Sequence, residues 1–164
     1  MSKAFTREDD DEAEERIVAR PHPALPEGAT NWMTLDGMER IQSELHLLKE
    51  QRVASNEAAT WGREFEQRLV DLEYLLRTVE VVTPTDGPCN EVRFGTTVTV
   101  REQDGAEHNY RIVGLDETDA DRGWVSWLSP IARALMGARR RNRVLFHFPD
   151  GKKELKIIDI TERL

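Results

Sequence analysis

Residues 64–100, EFEQRLVDLEYLLRTVEVVTPTDGPCNEVRFGTTVTV, change character twice, and that change decides the fold. Phe65, Leu69, Leu72, Leu76 and Val79 recur at alternating spacings of four and three, the seam of a coiled coil. Residues 83–90 (TPTDGPCN) then bring together two prolines, a glycine and capping-type side chains, which end the helix and open a linker. Beyond them the β-branched run at 92–100 has the composition of a strand. A helical part therefore precedes a sheet part, with the boundary at the linker.

Working toward the N-terminus, Met38, Ile41, Leu45 and Leu48 form a second stripe at helical spacing. Thr34 suits the N-cap of that helix, and Asp36 suits the positive end of its dipole. Between the stripes lies RVASNEAATWG, where Ser55, Asn56 and Gly62 weaken helical preference, so two antiparallel helices joined near Ser55 are expected. An ordinary bundle would need a third stripe of similar length, which the sequence lacks. The reading is a projecting hairpin over 31–82, roughly 30 Å long for about 20 residues per arm.

Working toward the C-terminus, apolar and β-branched runs at 92–100, 110–115, 124–128, 144–148 and 155–160 predict five strands. Asp104-Gly105 and Pro149-Asp150-Gly151 carry hairpin-turn chemistry, so the sheet is expected to be largely antiparallel. The odd spacing of Trp124 and Trp127 puts them on opposite faces of one strand. SPIARALMG predicts a short helix capped by Ser129, with Pro130 in the first position and Gly137 closing the end. The fold class is α+β, with a domain over 91–164 following the linker at 83–90.

Composition limits the function classes. The chain has 164 residues, 38% hydrophobic and 33% charged, with a mean hydropathy of −0.61, which implies much solvated surface around a modest core. Its apolar runs are far shorter than a membrane span of about 20 residues, and no secretory signal is visible, so a cytoplasmic protein is expected. Residues 1–30 hold eight acids against four bases together with Pro21, Pro23 and Pro26; they read as a disordered tail, either a solvated leader or a regulatory arm. Between Arg133 and Lys156 the sign reverses, with eight bases against Asp150 and Glu154, which points to an acidic partner. Cys89 is the only cysteine and lacks a neighbouring histidine to activate it, and the four histidines are dispersed. No disulfide, metal site or cofactor is expected, and no nucleophile-and-base pair identifies the chain as an enzyme.

The order of these parts resembles the bacterial Gre transcription factors, with SPIARAL at 129–135 after VSW at 125–127 the most specific motif. VRFGTTVTV at 92–100, YRIVG at 110–114 and MTLDGMERIQSEL at 33–45 support it, and MSKAFTRE with LPEGATNWMT look most like the GreB branch. The resemblance implies an antiparallel coiled coil followed by an FKBP-like domain. It also implies a partner, RNA polymerase, gripped at the beta-prime coiled coil on the rim of the secondary channel. Ser129, Pro130 and Leu128, with Arg133 nearby, are the implied contacts, while the basic residues Arg139, Arg140, Arg141 and Arg143 could complement acids on that partner. Some relatives carry Asp where this chain has Leu128, which alters the polar part of the contact.

Active members are similar to one another at the hairpin tip, where an Asp and a Glu help place a second magnesium ion in the polymerase active site. Here the corresponding residues are 53–61, VASNEAATW, in which Glu57 is the only acid. Ser55, Asn56 and Glu57 resemble part of the tip motif with Glu and Asn exchanged and the upstream Asp absent. Glu57 also suits a helix N-terminus, and Trp61 suits either packing beside the seam or anchoring the tip on a partner. The arms are roughly 20 residues shorter in total than in typical relatives, which withdraws the tip by roughly 15 Å. A monomeric polymerase-binding regulator unable to stimulate transcript cleavage is the expectation. Prolyl isomerisation, which the implied fold permits, and direct binding of nucleic acid by the basic cluster are the alternatives.

Overall fold

The computed structural model describes residues 25–54, 62–83, 89–148 and 151–162. The elements run β1 (Trp32–Thr34), α1 (Leu35–Ala54), α2 (Arg63–Thr78), β2 (Glu80–Val82), β3 (Thr97–Arg101) and β4 (Glu107–Val113). A 3-10 turn follows at Leu115–Glu117, then β5 (Trp124–Ser126), α3 (Pro130–Leu135), β6 (Arg143–Phe148) and β7 (Gly151–Thr161). This is the expected α+β fold. No helix among the described residues is long and apolar enough to cross a membrane.

The two predicted stripes face each other. Ile41 on α1 meets Leu72 and Leu75 on α2, flanked by Met38, Leu45, Leu48, Leu76 and Val79. Leu75, which the seam reading omits, is buried, while Leu76 is only half-buried. The cause is β1: the fully buried Met33 packs into this cluster and draws the adjacent face of α2 inward. Across the outside of the seam run Lys49–Glu73 at 2.7 Å, Arg68–Glu44 at 2.7 Å and Arg52–Glu66 at 3.5 Å.

A small sheet closes the base of the hairpin. β1 and β2 pair in parallel, Trp32 opposite Glu80 and Thr34 opposite Val82. Parallel neighbours need a long crossover, and the helical hairpin itself supplies it. Nothing in the local pattern of these short segments predicts the pairing.

The five expected strands form one sheet in the order β5-β4-β3-β7-β6. Its core is Val92, Val98, Val100, Ile112, Leu155, Ile157 and Ile160, covered by Ala132 and Leu135 of α3. Three of its four pairings are antiparallel, as expected of a largely antiparallel sheet. The exception is β5, which joins the last three residues of β4 in parallel, Arg111 opposite Trp124, because residues 114–123 loop the chain back alongside them. β5 also stops at Ser126, so Trp127 is not a strand residue and alternation does not govern its direction. Trp127 instead packs against Trp32 of the hairpin base, the two rings tilted by 32° with centroids 4.5 Å apart. Strand bounds move as well, with β3 starting at Thr97: Val92 is held outside the sheet by backbone bonds to Gly137 and Ala138, and 93–96 form a turn about Gly95. Gly105, at φ 90°, makes the predicted turn between β3 and β4. β6 and β7 pair antiparallel out to Phe148 and Gly151, with Pro149 and Asp150 outside the described residues.

Candidate functional site

The Ser-Pro turn is built as its sequence predicts. Ser129 Oγ accepts the Ala132 N–H at 3.3 Å, and Pro130 occupies the first turn of α3, where its missing N–H costs nothing. Upstream, Ser126 tightens the chain, accepting the Ser129 N–H at its carbonyl (2.8 Å) and the Leu128 N–H at its hydroxyl (3.1 Å). Ala132 and Leu135 are fully buried and fix the helix to the sheet. Pro130 and Arg133 are consequently exposed, with Leu128 and Ser129 half-buried beside them. A rigid turn with an apolar shoulder and one guanidinium is a surface suited to a protein partner.

The basic cluster is less free than its sequence suggests. Arg140 pairs with Asp159, Arg143 with Glu154 at 2.7 Å, and Arg139 with Glu91 at 3.9 Å. Arg141 sits at φ 72°, its N–H donating to the Ile157 carbonyl, in a turn where Asn142 Oδ1 accepts the Arg139 N–H. The sheet thus brings acids from β7 and residue 91 against three of the four arginines, pairings that a linear count of charge does not reveal. Exposed pairs of this kind are weak and exchangeable, so the patch is a partly neutralised cationic surface. Cys89 is half-buried, and desolvation followed by the Glu162 charge raises its thiol above the ordinary value, which disfavours a reactive thiolate.

Ser55, Asn56, Glu57 and Trp61 lie outside the described residues. Among the described residues no group of three or more His, Cys, Asp or Glu is placed to hold a metal ion.

Sequence reasoning missed the residues that join the two parts. Asp36, read only as a helix-dipole acid, accepts a bond of 2.6 Å from Arg111 of β4. Arg111 and Arg40 both lie over the Trp124 ring, at 5.0 and 4.9 Å. Glu117 is buried and accepts from Thr34 and Gly114. The one local signal was Gly37, a poor helix former in the first turn of α1.

Fold and site together define a protein of two working parts, a helical finger and a small mixed-sheet domain bearing an exposed Ser-Pro turn. The C-terminal family model described as transcription elongation factor GreA/GreB matches residues 87–162. Transcription elongation factor GreA of Chloroflexus aggregans is 33% identical over 150 aligned positions, covering 79% of this chain and 96% of that one. Transcription elongation factor GreB of Pseudomonas aeruginosa is 34% identical over 163, covering 87% and 96%. The solved transcription elongation factor GreA/GreB from Nitrosomonas europaea aligns at a TM-score of 0.42 with 25% identity, over 80% of this chain and 99% of that one. The chain belongs to the GreA/GreB family of transcription elongation factors. Against the Chloroflexus relative, 79% of 164 residues is about 130, so this chain lacks about 20 of the 150 aligned positions.

Proposed function

We propose that this protein is an RNA polymerase-binding regulator that docks at the secondary-channel rim through Leu128, Ser129, Pro130 and Arg133 and does not stimulate cleavage of backtracked transcripts. On this reading the sheet domain over 91–164 grips the beta-prime subunit and the hairpin over 31–82 points into the channel. It acts as a monomer in the cytoplasm, alters the polymerase without being an enzyme itself, and needs no metal or cofactor of its own.

The observation that carries the reading is the hairpin. Its helices have 20 and 16 residues, so the longer arm spans about 30 Å, and the sequence 53–61 contains one acid. Supplying a second magnesium ion takes oxygen ligands placed to within about 0.5 Å, which a single carboxylate on a shortened arm does not provide. The alignment with the Chloroflexus relative, in which this chain leaves about 20 positions unfilled, is in keeping with a shorter hairpin. The partial neutralisation of Arg139, Arg140 and Arg143 weighs against direct nucleic-acid binding.

The test is a transcript-cleavage assay on stalled elongation complexes, run with the purified protein alone and in competition with an active Gre factor. The expected outcome is no cleavage alone and progressive loss of cleavage in the competition. Robust cleavage by this protein rejects the reading, as does failure to compete at saturating concentration. Steeply salt-dependent binding of free RNA or DNA, with no polymerase binding, favours the nucleic-acid alternative.

A further inference from the structure

We propose that Glu117 is the positioning residue that sets the direction of the helical hairpin relative to the sheet. Its side chain, only 2% exposed, rises from the 3-10 turn after β4 into the N-terminal end of α1. One carboxylate oxygen accepts both the Thr34 N–H (2.9 Å) and the Gly114 N–H (3.0 Å), and the other accepts the Thr34 hydroxyl. Thr34 Oγ1 in turn accepts the Gly37 N–H at 3.0 Å, so the sheet domain completes the capping station of the hairpin's first helix. Arg40 stands 3.8 Å from the same carboxylate.

Several features make this a direction-setting device. The contacts with Thr34 span 83 positions of chain, so they form only when the two parts stand at one mutual angle. Gly37 and Gly114 both lie where a Cβ would overlap a neighbour, the Glu117 carboxylate at the first and the Trp32 carbonyl at the second. A buried carboxyl group costs most when it is left without its partners, so the bonds of Glu117 penalise other mutual angles of the two parts. A second tie, Arg111 to Asp36, runs parallel to the first. On another side of the junction Asn31 Nδ2 donates to Asp116 Oδ2 at 3.1 Å. A cavity of about 500 Å³ opens between Asp71, Tyr74 and Leu75 of α2 and Leu115–Asp116, with Asn31 in its wall. Glu117 is thus the most buried of these ties, and a hairpin released from it loses its single fixed angle.

The direct test needs no polymerase. In the full chain with Cys89→Ser, spin labels are placed at Val70, exposed on α2, and at Thr118, exposed after the 3-10 turn. Pulsed EPR of the parent gives one narrow distance distribution. Glu117→Ala broadens it while the far-UV spectrum is retained. If the alanine variant does not fold, Glu117→Gln, which keeps one acceptor oxygen, must give the same change to a smaller degree. A distribution that stays as in the parent, in whichever variant folds, overturns the proposal. The consequence for polymerase rests on the docking reading above: a photocrosslinker at Val53 marks one place on core polymerase in the parent and scatters in Glu117→Ala at unchanged affinity. Loss of polymerase binding by the parent counts against docking and leaves the EPR result standing, so the two failures are distinguishable.

Discussion

Gly37 sits where an added Cβ would overlap the Glu117 carboxylate, which reverses the usual expectation for a familiar substitution. In an open helix, replacing Gly by Ala stabilises by about 1 kcal/mol. At position 37 the new Cβ overlaps the Glu117 carboxylate, which must leave its partners, and hydrogen bonds to a charged group are worth about 1.5–3 kcal/mol each. Gly37→Ala is therefore expected to lower the thermal midpoint, and a rise in that midpoint would show the carboxylate to be dispensable. Ser129 behaves conventionally: Ser129→Ala removes one cap bond and is expected to cost about 1 kcal/mol in denaturant unfolding. The role of Ser129 was legible because a cap acts over three residues of chain. That of Glu117 was not, because its partner Thr34 lies 83 positions away and no local pattern marks an acid for burial.

At the level of elements, the hairpin depends on a narrow seam held by few fully buried side chains. Leu72 is 1% exposed, and Leu72→Ala is expected to destabilise the helical part by about 2–5 kcal/mol, read by loss of helical signal in denaturant. The Lys49–Glu73 pair gives the hairpin a pH dependence of known sign. The hydrogen bond from Lys49, followed by its charge, holds the Glu73 carboxyl below its ordinary value of 4.5. A lowered carboxyl stabilises the fold above its unfolded value, and that contribution is lost as pH falls through the lower folded value. Lys49→Met should therefore narrow the gap between the neutral and acid denaturation midpoints, by a small amount that salt reduces further, since the pair is exposed. An unchanged gap would assign the acid sensitivity to other carboxylates. The stripes themselves were readable from spacing, whereas the burial of Leu75 was not, since it depends on Met33 arriving from β1.

For the whole molecule, the proposed division of labour predicts which arginines matter to a partner. Arg133 is exposed beside the Ser-Pro turn, while Arg140 already has Asp159 as a neighbour. Arg133→Ala is expected to weaken binding to core polymerase about fivefold or more, and Arg140→Ala by about twofold or less, measured by equilibrium titration. Equal losses at both positions would move the contact from the turn to the basic patch.

The sequence by itself determined the two helical stripes, the break after them, the five strand segments and the capped Ser-Pro helix. Each of these follows from forces that act within a turn or two of chain: side-chain period, cap bonds and the conformational limits of Pro and Gly. Tertiary structure alone decided that β1 pairs in parallel with β2, that β5 runs parallel to β4, and that acids from β7 and residue 91 neutralise much of the basic run. It alone decided, too, that Glu117 and Arg111 tie the finger to the sheet. Those partners are distant in sequence, and their meeting depends on how the closed chain places whole elements, which no local preference encodes.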